Sequence, residues 1–329
     1  MRSPEFWKGE DYTARLAVAA LRPLGWAYGA TVEWKRRHII SYRPKAKVIC
    51  IGNLSAGGTG KTPIAIAVAR ALIARGLSTT ILSRGYGGRM RGPAYIDPAH
   101  DSAAETGDEP LLLAAAAPVI VARDRKEGAE LADQRGTDVI VMDDGHQNFA
   151  IEKDLSLVVV DATVGFGNGN ILPAGPLRES VEQGLSRASA VVLVGPGQVE
   201  LPGFSGPVLR AQLTPVDVFN LRGARVVAFA GIGRPVKFFE TLKTLGAAIA
   251  FSKEYADHHA YTASEIARLK AKARSEGAIL ITTEKDYVRL TPTEREGVRF
   301  LPVRAAFDEP GKLAALLDTV APKLLAASA

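Results

Sequence analysis

An apolar run at 47–51 leads into Gly52-Asn53-Leu54-Ser55-Ala56-Gly57-Gly58-Thr59-Gly60-Lys61-Thr62, and a helix-forming stretch then opens with Pro63. Strand, glycine-rich turn, Lys-Thr and helix N-terminus in this order leave few folds open to the chain. The turn belongs at the C-terminal edge of a mostly parallel sheet, where peptide N–H groups converge on an anion. Glycines let the backbone curl around phosphate oxygens without Cβ clashes. In such a loop the lysine, here Lys61, reaches the outer phosphates of a nucleoside triphosphate, and the hydroxyl of Thr62 faces its Mg2+. Ser55, Ala56, Gly57, Gly58, Thr59, Gly60, Lys61 and Thr62 are therefore the expected ATP-binding residues. The general pattern opens with glycine where this chain has Ser55, and Gly57 and Gly58 supply the flexibility instead.

Around this turn, short β-branched runs alternate with helical patterns, as parallel α/β sheets read. Strands are expected at 48–51, 79–82, 119–121, 139–142, 157–160, 191–194 and 208–211, with helices at 63–75 and 110–116. The pattern restarts near Leu221, with a strand at 225–230, helices at 235–245 and 264–275, and a strand at 278–282. The expected fold class is α/β: a P-loop NTPase-like parallel sheet domain over 46–221, a smaller α/β domain over 222–329 that closes the cleft, and an N-terminal amphipathic helical segment over 1–45. The apolar run 139–142 ends in Asp143 and Asp144, a Walker-B arrangement in which a buried strand delivers a carboxylate to the metal. Thr62, Asp143 and Asp144 are the expected Mg2+ ligands.

The 329 residues are 47% hydrophobic and 23% charged, ordinary globular usage with ample material for a core. The one cysteine, Cys50, excludes an internal disulfide, and the five histidines have no cysteine partners at zinc spacing. Charge placement says more than the net +6. Residues 1–45 hold nine Lys/Arg, Arg2 and Lys8 among them, against four acids, together with all three tryptophans, Trp7, Trp26 and Trp34. Indole favours a water–hydrocarbon boundary. Arg22 and Pro23 interrupt the apolar stretch, which is too short for a spanning helix and wrongly ordered for a secretory signal. Two arrangements remain: an interfacial helix or helix pair on anionic lipid, or a helical hairpin docked on the protein's own core.

Thr106-Gly107-Asp108-Glu109-Pro110 places two acids at a helix start, where a carboxylate stays ionised and can accept a hydroxyl proton; the same residues also read as a plain helix cap. Asp257-His258-His259 is either an oriented base or a surface loop. Ser83-Arg84-Gly85-Tyr86-Gly87-Gly88 puts an arginine on a glycine loop near the same sheet edge, suited to phosphate or simply to a turn. Arg178 and Glu179 form a charge pair that also suits an exposed salt bridge.

Taken together, these motifs resemble the tetraacyldisaccharide 4'-kinase family. The resemblance is carried in order by Gly52 to Ser55 with Gly57 to Thr62, Ser83 to Gly87, Gly107 to Pro110, Asp143-Asp144-Gly145-His146-Gln147, Leu177-Arg178-Glu179, Asp257-His258-His259 and Thr283-Glu284-Lys285-Asp286. Ser55, which departs from the general P-loop, matches this family's version. The resemblance implies transfer of the ATP γ-phosphate to the 4'-hydroxyl of a tetraacylated glucosamine disaccharide 1-phosphate in lipid A biosynthesis, with Mg2+. It implies a monotopic protein at the cytoplasmic face of a Gram-negative inner membrane, whose partners are the glycolipid and the membrane surface. It makes Asp108 and His258 a catalytic dyad, with Asp108 taking the proton, and adds Glu109 to the metal candidates. It brings Arg84, His146, Gln147, Arg178 and Glu179 near substrate or phosphate, and the Thr283 to Asp286 stretch near the site.

The competing reading is a peripheral-membrane P-loop ATPase switch acting on protein partners. Its variant loop carries an extra lysine near the start, where this chain has Ala56. Guanine recognition fails because Lys285 and Asp286 are adjacent, with no residue between them. Nucleic acid is not an expected partner, since apolar residues and tryptophans accompany the basic segment, and no obligate protein partner is inferred.

Overall fold

The computed structural model describes residues 4–7, 11–216 and 219–322; Arg2, Lys8 and Glu10 of the basic segment and 323–329 of the expected C-terminal unit lie outside the described residues. The strands are β1 (Lys47–Gly52), β2 (Thr79–Ser83), β3 (Ala94–Tyr95), β4 (Val119–Val121), β5 (Val139–Asp143), β6 (Leu155–Asp161), β7 (Ala190–Val194), β8 (Val208–Pro215), β9 (Arg225–Ala230), β10 (Ala248–Glu254), β11 (Ile279–Thr283), β12 (Val298–Leu301) and β13 (Val303–Phe307). Nine of them form one sheet in the order β13-β8-β7-β6-β1-β5-β2-β4-β3, and four form a second in the order β10-β9-β11-β12. The first sheet is parallel except at its edges, where β13 and β3 pair antiparallel with β8 and β4. The second is parallel throughout.

Strand β1 is central and apolar on both faces because both faces are covered. Ile49 and Ile51 enter one core with Ile64, Val68 and Leu72 of the helix Lys61–Ile73, while Val48 and Cys50 enter the other with Met142 and Ile140. Register sets the site: β1 pairs with β5 so that Ile51 lies opposite Asp143, which brings the acid to the point where the phosphate-binding turn leaves the sheet.

The expected unit 222–329 differs from the observed sheets at its end. Strands β9 to β12 make the second sheet, but the chain then returns: β13 pairs with β8, and Leu313 and Leu317 of the helix Pro310–Asp318 join the core that holds Ile64 and Leu72. The physical reason is non-local pairing. β13 satisfies its backbone groups on a strand whose paired residues lie 88 to 96 positions earlier in the chain, and local pattern carries no trace of that partner. β10, mostly exposed at an edge, also lay outside the expected strands, because its residues lack the apolar alternation of a half-buried strand.

Among the described residues of the N-terminal segment, a 3-10 turn at Glu5–Trp7 precedes an α-helix, Tyr12–His38, which runs through Pro23 and is about 40 Å long. Asp11 caps it through Ala14 N at 2.8 Å, and Lys35, Arg36 and Arg37 fill its last turn, where cations meet the negative end of the dipole. Trp7 donates to Pro173 O at 3.1 Å and Arg22 to Asn170 Oδ1 at 3.1 Å, and Gly25 lies so close to Ile171 that a Cβ would sit 2.9 Å from its carbonyl oxygen. Neither expected arrangement describes this fully. The helix docks along one side on the 168–176 loop and leaves Leu16, Leu24, Trp26 and Trp34 exposed, Trp26 by 69%. Among the described residues no helix is long and apolar enough to cross a membrane.

Candidate active site

The turn after β1 is held from behind. Ala56 N donates to Pro176 O at 2.7 Å, Arg178 N donates to Leu54 O at 2.7 Å, and Ser55 bridges Leu177. Ser55 does not adopt a left-handed backbone, so glycine is not needed there; it is needed at Gly57 and Gly60, where φ is +125° and +88°. A Cβ at Gly57 or Gly58 would meet no atom within 4 Å, which leaves the inner side of the turn open for phosphate. The helix Lys61–Ile73 starts at Gly60 with no side-chain cap, so its first N–H groups remain available to an anion.

Lys61 Nζ lies 3.6 Å from Asp144 Oδ1. Arg178 grips the same carboxylate with both terminal nitrogens, at 3.0 and 3.1 Å. Burial opposes ionisation of Asp144, but the Lys61 and Arg178 cations outweigh it and hold the carboxyl below its usual range. Asp143 differs. It is buried, its Oδ1 has no hydrogen-bond partner, and burial with the nearby Glu109 and Asp144 carboxylates pushes its carboxyl well above the usual range. An orphaned buried carboxylate oxygen is costly unless a cation meets it. Among the described residues no three His, Cys, Asp or Glu side chains form a closed metal cage. An open site fits Mg2+, which takes one or two carboxylates and fills its octahedron with water and phosphate oxygens. Asp143 offers an unpartnered oxygen and Thr62 is the second residue of the helix that leaves the turn, whereas both oxygens of Asp144 are engaged by cations.

The second cluster forms between the two sheets. The short helix Asp108–Leu113 follows Gly107, and the loop that carries Arg84 and Tyr86 packs directly on it: a Cβ at Gly88 would stand 2.5 Å from Gly107 N. From the second sheet, His258 Nδ1 comes within 3.2 Å of Asp108 Oδ2. Arg289 donates to the same oxygen from Nε at 2.9 Å and from Nη2 at 2.5 Å. Lys285 Nζ is 3.9 Å from Asp108 Oδ2, 3.7 Å from Glu109 Oε1 and 3.4 Å from His258 Nε2. Burial works against the Asp108 charge, yet the His258 hydrogen bond and the Lys285 and Arg289 cations hold its carboxyl well below the usual range, so it is a firm anion. His258 has φ +58°, a left-handed conformation unusual for a side-chain-bearing residue and of the sort that collects at functional sites. The neighbouring His259 is occupied elsewhere, paired with Glu265 at 3.1 Å and stacked on Tyr255.

Several sequence candidates serve the scaffold. His146 does not face the cleft: its ring is buried, with Nε2 donating to Gly184 O at 2.9 Å and Nδ1 against Ser156 Oγ at 3.0 Å. It packs beneath the turn, where a Cβ at Gly52 would come within 2.5 Å of its own. Glu179 is buried against Arg187 at 2.6 Å, and Gln147 links Glu179, Asn53 O and Arg178. These residues hold Arg178 and the turn in place. Arg84 is exposed at the cleft-side loop. Glu109 faces Lys285, and its charge still reaches Asp143.

Burial, followed by the Arg187 charge, lowers the His146 imidazole to about 3, so the ring is neutral in the folded chain. The unfolded chain binds a proton there at higher pH than the native one. The stability tied to the neutral ring is therefore complete above the ordinary value of 6.5 and is lost as pH falls toward about 3. His146→Gln should flatten the decline of Tm between about pH 7 and pH 4. Thermal melts across that range check this, and an unchanged slope excludes His146 as its source.

Sequence reading missed Arg289, the closest cation to Asp108, and left Lys285 without a role. The available signal was helical spacing in 284–289, which sets Lys285 and Arg289 four apart and Asp286 and Arg289 three apart.

The family model described as Tetraacyldisaccharide-1-P 4'-kinase matches residues 17–321. The tetraacyldisaccharide 4'-kinase of Rhodospirillum rubrum is 48% identical over 326 residues, covering 97% of each chain. That of Dinoroseobacter shibae is 47% identical over 331 residues, covering 98% of each. Among solved structures, the "apo" form of LpxK from Aquifex aeolicus in complex with ATP superposes with a TM-score of 0.77 at 26% identity, over 92% of this chain and 99% of that one. The P-loop, the Asp143-Asp144 strand end and the family motifs thus stand on a shared fold over nearly the whole length, and the chain belongs to the tetraacyldisaccharide 4'-kinase family.

Proposed function

We propose that the enzyme transfers the γ-phosphate of ATP to the 4'-hydroxyl of a tetraacylated glucosamine disaccharide 1-phosphate, with His258 as the proton acceptor and Asp108 as the anion that orients it. Kinase activity in lipid A biosynthesis follows from the family; the switch reading has no support from it. The observation that carries the mechanism is the geometry at Asp108, where Arg289 Nε and Nη2 and His258 Nδ1 all converge on Oδ2. Burial opposes the Asp108 charge, but the His258 hydrogen bond and the Lys285 and Arg289 cations hold the carboxyl below its usual range, and such a carboxylate is a weak base, which argues against its taking the proton itself. It can fix His258 with Nδ1–H toward Oδ2, which leaves the Nε2 lone pair for the substrate.

The step then balances. The 4'-hydroxyl gives its proton to His258 Nε2, its oxygen attacks the γ-phosphorus, the bond from that phosphorus to the β–γ bridging oxygen breaks, and ADP leaves. Lys61 and the N–H groups of the turn neutralise the phosphate oxygens, and Lys285 turns from His258 toward the incoming anion. Thr62 and Asp143 would hold Mg2+, which would supply further charge neutralisation. Arg178 keeps Asp144 in place as Lys61 moves to the phosphates. Incubation with γ-labelled ATP and the disaccharide lipid, followed by location of the label, tests the reading; label in free phosphate alone, or at another hydroxyl, overturns it.

We also propose that the N-terminal helix seats the enzyme on the cytoplasmic face of the inner membrane. Its exposed Leu16, Leu24, Trp26 and Trp34, next to Lys35, Arg36 and Arg37, support this. Deletion of residues 1–37 should move the protein from membrane to soluble fractions and lower activity on substrate in bilayers. Unchanged sedimentation with membranes would place the attachment elsewhere.

A further inference from the structure

Arg289 follows the short helix Glu284–Tyr287 after β11, and its side chain is only 5% exposed. Its guanidinium is anchored in its own sheet before it meets Asp108: Nη1 donates to Gly231 O at 2.8 Å and to Asp286 Oδ1 at 2.8 Å. Asp286 is itself immobilised. It is fully buried and accepts from Gly231 N at 3.0 Å, Tyr261 Oη at 2.9 Å and Thr283 Oγ1 at 2.6 Å. The carbonyl of Gly231 also accepts from the backbone N of His258 at 3.1 Å. One peptide oxygen therefore carries both the arginine that grips Asp108 and the residue that hydrogen-bonds it. Space there is closed, since a Cβ on Gly231 would lie 2.9 Å from Tyr261 Oη and 3.0 Å from Ala256 O.

We infer that Arg289, braced by Asp286 and Gly231, is a positioning residue that sets the Asp108 carboxylate against His258 and ties assembly of that pair to the docking of the second sheet on the helix Asp108–Leu113. The inference rests on the reading of Asp108 and His258 as the proton-accepting pair. A simple stabilising ion pair would not require this geometry. Both Nε and Nη2 converge on one oxygen, Oδ2, the oxygen that His258 Nδ1 also faces, and the remaining nitrogen is spent on the frame that holds the histidine. The arginine thus transmits the position of Gly231 to Asp108. Lysine cannot do the same, because a single ammonium does not span Gly231 O and Asp108 in a fixed plane.

The test is a kinetic cycle on the full chain with lipid substrate. Arg289→Ala should bind Mg-ATP as the unaltered enzyme does and lose about 100-fold in kcat, the scale of a misplaced catalytic group. Arg289→Lys should recover little of this, and added guanidinium ion should restore part of the alanine variant's kcat. In an Asp108→Ala background, Arg289→Ala should cost almost nothing further, because the arginine acts through that carboxylate. Should the alanine variant fail to bind Mg-ATP, the lysine variant, which keeps the charge in the buried site, is read by the same criteria. Wild-type kcat in the Arg289 variants, or a loss that adds in full to that of Asp108→Ala, overturns the inference. Full activity of Asp108→Ala or His258→Ala instead removes the proton-acceptor reading, so the two failures are distinguishable.

Discussion

Lys61→Ala should lower kcat/KM for lipid phosphorylation by about 1,000-fold, with little loss of folded stability. The lysine opens the helix that leaves the turn, and the two arginines beside the Asp143-Asp144 strand end are committed elsewhere. Arg125 sits beside Asp143 but is buried and bonded to Ala122 O and Asp143 O; burial lowers its guanidinium to about 10, still charged at neutral pH. Arg178 is committed to Asp144 by two hydrogen bonds. That commitment is also why the fold tolerates the change: Asp144 loses a cation at 3.6 Å and keeps two contacts near 3 Å. Steady-state kinetics and thermal melts on the same preparation check both halves. Retention of wild-type kcat/KM would mean that phosphate is not held at this turn.

The second large effect concerns the proton. His258→Ala should reduce kcat by about 100- to 10,000-fold, the range for loss of a general base, with Mg-ATP affinity nearly intact. Asp108→Ala should lower kcat by about 1,000-fold to a small measurable residue, because it leaves His258 unoriented and removes one of the two carboxylates that Arg289 meets, with Asp286 remaining. Asp108→Asn discriminates between the two possible bases. An amide can still accept from His258 Nδ1–H but carries no charge, so partial activity in the asparagine variant agrees with a histidine base oriented by its neighbour. Undiminished product formation by His258→Ala would return the proton to Asp108. Nucleotide binding measured alongside separates loss of chemistry from loss of the site.

Most of the first sheet was legible because its strands are buried on both faces, and such strands read as continuous β-branched runs between helical patterns. The turn was legible for a different reason: its conformation depends on residue types that local geometry dictates, glycine at Gly57 and Gly60 and Lys-Thr at the helix start. The scaffold role of His146 was not legible. A buried histidine that packs against Gly52 and one that touches phosphate leave the same letters in the chain, and only the Ser156 and Gly184 contacts tell them apart. Arg289 was missed because its partner Asp108 lies 181 residues away.

The chain's own order of residues determined that a triphosphate-binding turn would form, that it would end a central strand, and that acids would stand at the end of a second strand, since these follow from backbone sterics and from a period of burial read over a few residues. Only the tertiary structure decided that Asp143 carries the orphaned oxygen while Asp144 is spent on Lys61 and Arg178, and that Asp108, His258 and Arg289 converge from two sheets. Those outcomes depend on which charges meet after distant segments dock. Coulomb interaction and desolvation act through space and are indifferent to separation along the chain.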